Sequence, residues 1–474
     1  MFYSRLFDRK NRKKVANSTK KMMPGIDDVH GNTTVHSLFA SIQQHEKHTA
    51  SSFDLVASNT CCSSEVRKIM GSSLVNSCSI GLPGNRFYGG CAEIDTIERK
   101  TRKLVCDLFG AMYCEVQLLS GMQANIAAYN AMLPHNGCTV MASPSKNGGH
   151  YSHNTGGPLT RLFGATVVPT PWKEKTYNVD LEALPRAMEE YRPTLLILGW
   201  SEMLFEHDLP AIRTICDRYH CKIMYDMSHV AGLIAGGAFQ QDMMTYADIV
   251  TSSTGKALHS ADHGLVLYNN DQLTPKIREA VMPLLTSNTH FQETAALYMT
   301  LLEMQVYGSA YARQVVANTQ ALAKELAVKR HFKLLCPELG YSTTHELIID
   351  LEGAMSGAQA TRLLDAAGIF CNPQDLPTSD SGMDAGGLRL GTQVLTRRGF
   401  QERDMSSVAE AIRYVIQKKK NATTVSKMVA SKCCNFSSVR YSFGEAAAAL
   451  LVEDDDRGGI GAAEVAEDDC GWGT

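Results

Sequence analysis

The sequence predicts an α/β fold: a mostly parallel sheet with helices on both faces, followed by a smaller C-terminal α/β domain. Three observations carry this. Strand and helix patterns alternate with short turns through the first two thirds of the chain; several strands are apolar on both faces, as a sheet covered on both sides requires; and a second β, α, β, α series follows a long helical stretch. In order, residues 93–110 place Ile94, Ile97, Thr101, Leu104, Val105 and Leu108 on one helical face, residues 115–119 read as a short apolar strand, and Gly121 opens a helix through Met132. Strands follow at 139–142, 165–168, 195–199, 222–226, 248–252 and 264–268. After a helical stretch around 294–329, residues 345–351, 358–367, 387–391 and 406–418 supply the smaller domain. No internal repeat interrupts this pattern.

Composition bounds the function. The chain has 474 residues with 46 Lys and Arg against 49 Asp and Glu, a net charge of −3 that speaks against nucleic-acid or polyanion binding. Its longest apolar runs, such as Leu195–Leu198, fall far short of the ~18 residues of a membrane span, so no membrane association is expected. Fourteen scattered Cys without paired metal spacing read as reduced intracellular thiols. Residues 1–25 carry eight basic residues against Asp8 alone, a net of +7. We read 1–28 as a flexible basic arm of a cytoplasmic protein; a mitochondrial or plastid transit peptide is the alternative reading. Residues 445–474 carry nine acidic residues and only Arg457, and the span 426–474 reads as an acidic disordered tail. Residues 29–310 are assigned to the N-terminal segment and large domain, and 311–425 to the small one.

Ligands of open α/β sheets collect at the carboxyl ends of strands, and three strand ends stand out. Asp226 terminates an apolar strand, with His229 three residues on. Residues 249–254 run through small hydroxylated side chains into Lys256, and Ser120-Gly121 forms a strand-to-helix turn whose free N–H groups suit a phosphate. Taken singly, each has an ordinary structural explanation: a helix-capping Asp, an exposed loop Lys, a common turn. On one sheet they supply what a pyridoxal phosphate site needs, namely a phosphate cradle, a carboxylate for the pyridine nitrogen and a Lys for the aldehyde.

Over residues 30–420 the chain resembles the serine hydroxymethyltransferase family. The resemblance rests on Leu55-Val-Ala-Ser58, Pro83-Gly-Asn-Arg-Phe-Tyr88-Gly-Gly-Cys91, Ser120-Gly-Met-Gln-Ala-Asn125, Gly148-Gly-His150, Asp226-Met-Ser-His-Val-Ala-Gly-Leu233, Thr254-Gly-Lys256, Leu388-Arg-Leu-Gly-Thr392 and Thr396-Arg-Arg-Gly-Phe400. It implies the seven-stranded sheet of fold-type-I pyridoxal phosphate enzymes and a homodimer or tetramer. It further implies that Lys256 holds the cofactor, Asp226 its ring nitrogen and His229 its O3′ side, with His150 stacked on the ring. Ser120, Gly121, Met122, Ser201 and Ser253 would complete the cofactor contacts. Arg389 and Ser58 would bind the carboxylate of a small amino-acid substrate, and Tyr88 would lie by the reacting carbon.

The departures from the family pattern are as specific. Ile80 replaces the carboxylic acid that handles the substrate hydroxyl and the folate, and Cys78 replaces the tyrosine that reaches the partner's phosphate. Met122, Gly255, Asp262 and Phe87 stand for a Ser, a His, an Arg and a Tyr. Ser287-Asn288 stands for a Gly-Gly pair reaching across the dimer, and Gln374 for a folate-contacting Asn. His259, His263 and His290 are new titratable groups. The expectation is a hydroxymethyltransferase-like enzyme acting on the Cα–Cβ bond of a β-hydroxy amino acid, with tetrahydrofolate use in doubt. A folate-independent threonine-type aldolase with His150 as base, or a silent paralogue acting as a partner subunit, are the alternatives.

Overall fold

The computed structural model describes residues 35–134, 137–376 and 386–444; the basic arm, residues 1–28, lies outside them. The large sheet contains β1 (Tyr113–Leu118), β2 (Thr139–Ala142), β3 (Thr166–Pro169), β4 (Leu195–Leu198), β5 (Lys222–Asp226), β6 (Ile249–Ser253) and β7 (Gly264–Tyr268), in the order β1-β7-β6-β5-β4-β2-β3. All pairs are parallel except those made by β7, which runs antiparallel to both β6 and β1. The period of two explains why apolar runs were needed: Leu196, Leu198, Ile223 and Tyr225 enter one core, whereas Leu195, Ile197, Met224 and Ile249 enter the other. Both faces are buried, so most of these side chains are apolar, and the polar ones, such as Glu115 and Thr251, are hydrogen-bonded.

Helices α1 (Ala92–Phe109) and α2 (Gly121–Met132) flank β1. The 40-residue α3 (Phe291–Arg330) then leads to a four-stranded antiparallel sheet: β8 (Lys333–Leu334), β9 (Glu346–Asp350), β10 (Asn372–Gln374) and β11 (Gly387–Gly391), ordered β8-β9-β11-β10. Helices α4 (Gly357–Asp365) and α5 (Met405–Ile416) bury Ala360, Leu364, Val408 and Ile412 against it. Among the described residues no helix is long and apolar enough to cross a membrane.

Three expected boundaries need correction. A break at 310/311 falls inside α3, which continues unbroken because it buries residues from Phe291 to Leu326 against both domains. The segment from residue 29 does not belong wholly to the large domain: Phe53 and Asp54 pair in parallel with Ile369 and Phe370, and Phe53 and Leu55 lie in the small domain's core. The tail does not begin at 426, since α6 (Ala422–Cys433) buries Val425, Val429 and Cys433 at four-residue spacing. The acidic residues 445–474 lie outside the described residues.

A buried ion pair ties α3 to the small domain. Arg397, wholly buried after β11, donates to Glu303 of α3 and to the Tyr441 carbonyl. Breaking a buried pair leaves one charge uncompensated, whereas replacing both partners by apolar residues is far less costly. Arg397→Met is therefore expected to lose about 3–5 kcal/mol in urea unfolding, and adding Glu303→Met should recover most of it. Equal stability of the native chain and the single variant would show that the pair holds nothing.

Candidate active site

A cavity of about 330 Å³ opens at the carboxyl ends of β4, β5 and β6, lined among others by Ser58, Ser120, His150, Ser201, Asp226 and Lys256. Its floor is Asp226, which ends β5 because the chain turns there: the Ser228 N–H donates to Oδ1 at 3.0 Å. The Asn125 amide and His153 Nε2 reach Oδ2 at 3.0 and 3.1 Å. Burial would raise this carboxyl, yet the His153 and Ser228 hydrogen bonds hold it below the usual carboxylate range. His153 is fixed in turn by the Tyr129 hydroxyl at 2.5 Å, and Asn125 by the Thr251 hydroxyl at 2.7 Å. Gly199 shows how tightly β4 is drawn over this point: its φ is +81°, and a Cβ would sit 1.9 Å from the Asp226 carbonyl oxygen.

Lys256 lies in the turn between β6 and β7. Burial disfavours its ammonium and lowers its pKa, which favours the free amine that attacks an aldehyde. At the far end of the cavity Ser120 caps α2, accepting the Gln123 N–H at 3.3 Å. The first-turn amides of Gly121 and Met122 are out of reach of any intrahelical carbonyl and face the lining. A Cβ on Gly121 would lie 2.8 Å from Ser253 Cβ, so only Gly lets the helix end approach β6. The anion cradle is nonetheless compromised: Met122 brings no hydroxyl, and the Ser253 hydroxyl donates to Asp262 Oδ1 at 3.1 Å. A carboxylate thus occupies a hydroxyl that the resemblance assigns to the cofactor.

His150 stands over the cavity with Nδ1 engaged by the Ser152 hydroxyl (2.7 Å) and N–H (3.3 Å). Burial, then His153, push it down to about 3, so it is neutral. Burial likewise keeps His229 well below its usual value; its Nδ1 faces Glu346 Oε1 at 3.2 Å. Arg389, on β11, donates from Nε to Asn372 Oδ1 (3.1 Å) and from Nη1 to the Ser201 carbonyl (2.6 Å), which brings the small domain to the cavity's edge.

Tyr88 does not join this cluster. It is exposed beside Phe87 at a ring distance of 5.0 Å, and neither it nor Ile80 or Cys78 lines the cavity. The loop that carries them is pinned by Arg86, which ion-pairs with Asp95 (2.7 Å) and Glu98 (2.6 Å) of α1. Asn288 is used within the chain, accepting the Ser79 N–H at 2.8 Å. The new histidines have structural partners: His259 accepts the Cys61 N–H at 3.0 Å, and Glu293 lies 3.3 Å from His263 and 3.0 Å from His290. Sequence reading missed His153, Glu202 and Glu346. A charge at the head of the apolar strand Glu346-Leu-Ile-Ile was the available signal for the last.

The family profile described as serine hydroxymethyltransferase matches residues 32–412. The chain is 35% identical over 419 residues to the serine hydroxymethyltransferase of Korarchaeum cryptofilum, covering 86% of this chain and 96% of that protein. It is 34% identical over 414 residues to that of Methanocella arvoryzae (87% and 97%) and 35% identical over 425 residues to that of Methanopyrus kandleri (89% and 97%).

The depressed carboxyl of Asp226 makes a pH prediction. Its native value lies below the unfolded 3.8, so its contribution to stability is complete above that pH and is lost as pH falls through the native value. Asp226→Asn should flatten the acid limb of stability below about pH 4, measured by urea unfolding in pH steps. Parallel acid limbs would assign that limb to other carboxylates.

Proposed function

The chain belongs to the serine hydroxymethyltransferase family and is a pyridoxal phosphate-dependent transferase of that kind; from this premise we propose that it interconverts serine and glycine with a weakened folate-dependent step. The observation that carries this reading is the convergence of Lys256, Asp226, His150 and the start of α2 on one cavity, with Arg389 at its edge. These residues fit the cofactor: the start of α2, with Ser120, Gly121 and Met122, lines the cavity, and the ionised Asp226 suits a protonated ring nitrogen. Bound there, pyridoxal phosphate would supply an electron-accepting ring for the pair released when a bond to Cα breaks.

The chain's own residues do the rest. Lys256 supplies an amine that burial keeps ready to shed its proton. Asp226, braced by His153 and Asn125, would hold a proton on the ring nitrogen. Arg389 and Ser58 orient the substrate carboxylate. Ile80 has no proton to give or take, so the group that would serve the β-hydroxyl is missing. The aldolase reading asks His150 to be that base, but its Nδ1 lone pair already accepts from Ser152, and its low pKa makes it a poor acceptor. We propose a homodimer because the Ile80–Tyr88 loop stands outside its own chain's cavity and exposes Phe87 and Tyr88, a surface suited to a second copy's site.

Three outcomes test this reading. Borohydride reduction of the cofactor-loaded protein should label Lys256, and Lys256→Ala should abolish both label and visible absorbance; a colourless native protein that labels no lysine would leave the silent-subunit reading standing. Met122→Ser and Asp262→Ala should each tighten pyridoxal phosphate about tenfold or more, since a hydrogen bond to a charged group is worth roughly 1.5–3 kcal/mol; unchanged affinity would show that other donors hold the phosphate. Ile80→Glu should raise serine-to-tetrahydrofolate transfer about 10²–10⁴-fold over the native chain while glycine α-proton exchange changes little. Fast transfer by the native chain would refute the weakened step.

A further inference from the structure

Arg389 is surrounded by more negative charge than a substrate clamp needs. Glu346 Oε1 lies 3.6 Å from its Nη1. Glu346 is wholly buried on β9, with Oε2 accepting the Met203 N–H at 2.7 Å and Oε1 lacking any hydrogen-bond donor. Glu202, next to the Ser201 carbonyl that Arg389 binds, is also buried and accepts the Tyr177 hydroxyl at 2.8 Å. The groups facing Glu346 are His229 from the turn after β5, its neighbour His345, Arg389 from β11, Glu202 from the loop after β4 and Lys256 from the turn after β6. Both histidines are kept neutral by burial and burial pushes Lys256 toward its free amine, so Arg389 is the lasting cation here. Burial raises Glu202 to about 7 and Glu346 to about 8, and for both the strongest opposing influence is Arg389. Near neutral pH the two carboxyls share roughly one negative charge, enough to neutralise one guanidinium.

We propose that Glu202 and Glu346 are an internal counter-charge for Arg389, and that an amino-acid carboxylate binding this arginine drives a proton onto the pair. The inference rests on Arg389 being the carboxylate clamp of the proposed function. The internal negative charge and that of an entering carboxylate cannot share one guanidinium in a buried site, because like charges at this range repel strongly. The entering carboxylate therefore binds as one internal carboxyl becomes neutral. Its affinity falls as pH rises, since the acid form of the pair is the one that leaves Arg389 free. The pair acts as a specificity device: it admits an anion only together with a proton.

The test is glycine binding to the pyridoxal phosphate-loaded protein, followed by calorimetry near pH 8 in two buffers of different ionisation enthalpy. The native chain should take up about one proton more per glycine than the variant carrying Glu202→Gln and Glu346→Gln. That variant should also bind glycine about tenfold tighter one pH unit higher; glycine's own amine titrates alike in both. Glu346→Gln alone, which keeps the acceptor for Met203, should show a reduced uptake if the double variant does not fold. Native-like uptake and affinity in the folded variants overturn the inference. Arg389→Ala separates the two levels. Undiminished glycine binding there refutes the clamp itself, whereas lost binding combined with unaltered uptake in the Gln variants refutes only the counter-charge.

Discussion

The site depends on keeping one carboxylate ionised at the floor of a cavity where little water reaches it. A buried charge is expensive unless it is paired and hydrogen-bonded, and Asp226 meets that cost with donors from three elements: Asn125 of α2, His153 of the loop after β2, and the backbone of its own turn. Each donor is itself held, by Thr251, Tyr129 or the strand. The network therefore fixes α2 against β5 and β6. The helix end that would receive a phosphate, the acid that would face a ring nitrogen and the turn that carries Lys256 are thus parts of one hydrogen-bonded unit.

Around this unit two sources of charge pull in opposite directions. The α2 start and Lys256 favour anions, while Asp262, Glu202 and Glu346 crowd them with carboxylates. Much of the site's polarity is consequently satisfied internally: Ser253 by Asp262, Arg389 by Ser201 and Asn372, His150 by Ser152. A ligand that uses these groups must displace or reuse their present partners.

Much of this was legible in the sequence, for physical reasons. Strands β2, β5 and β7 were read with their observed ends because two dry faces demand unbroken apolar runs. Asp226, Lys256 and Ser120 drew attention because each follows the end of a strand, whereas His150 was named through the family resemblance alone. The reversal of β7 was not legible, since an apolar strand reads the same in either direction. Nor was the role of Phe53 and Leu55, whose partners Ile369 and Phe370 lie some three hundred residues away. His153 escaped notice because its work is done on another side chain, and α6 because its three buried contacts are sparse among polar residues.

The direction of β7 has a consequence for how the protein is made. β1 sits at the edge of the sheet, and among the described residues its one neighbour there is β7, with Leu118 beside Gly264. A growing chain therefore exposes β1 and the turn at Ser120 long before their partner has been synthesised. Such distant pairing delays assembly and leaves an apolar edge open to unintended company. The part of the sheet that precedes the anion cradle is among the first to be translated and among the last to find its seat.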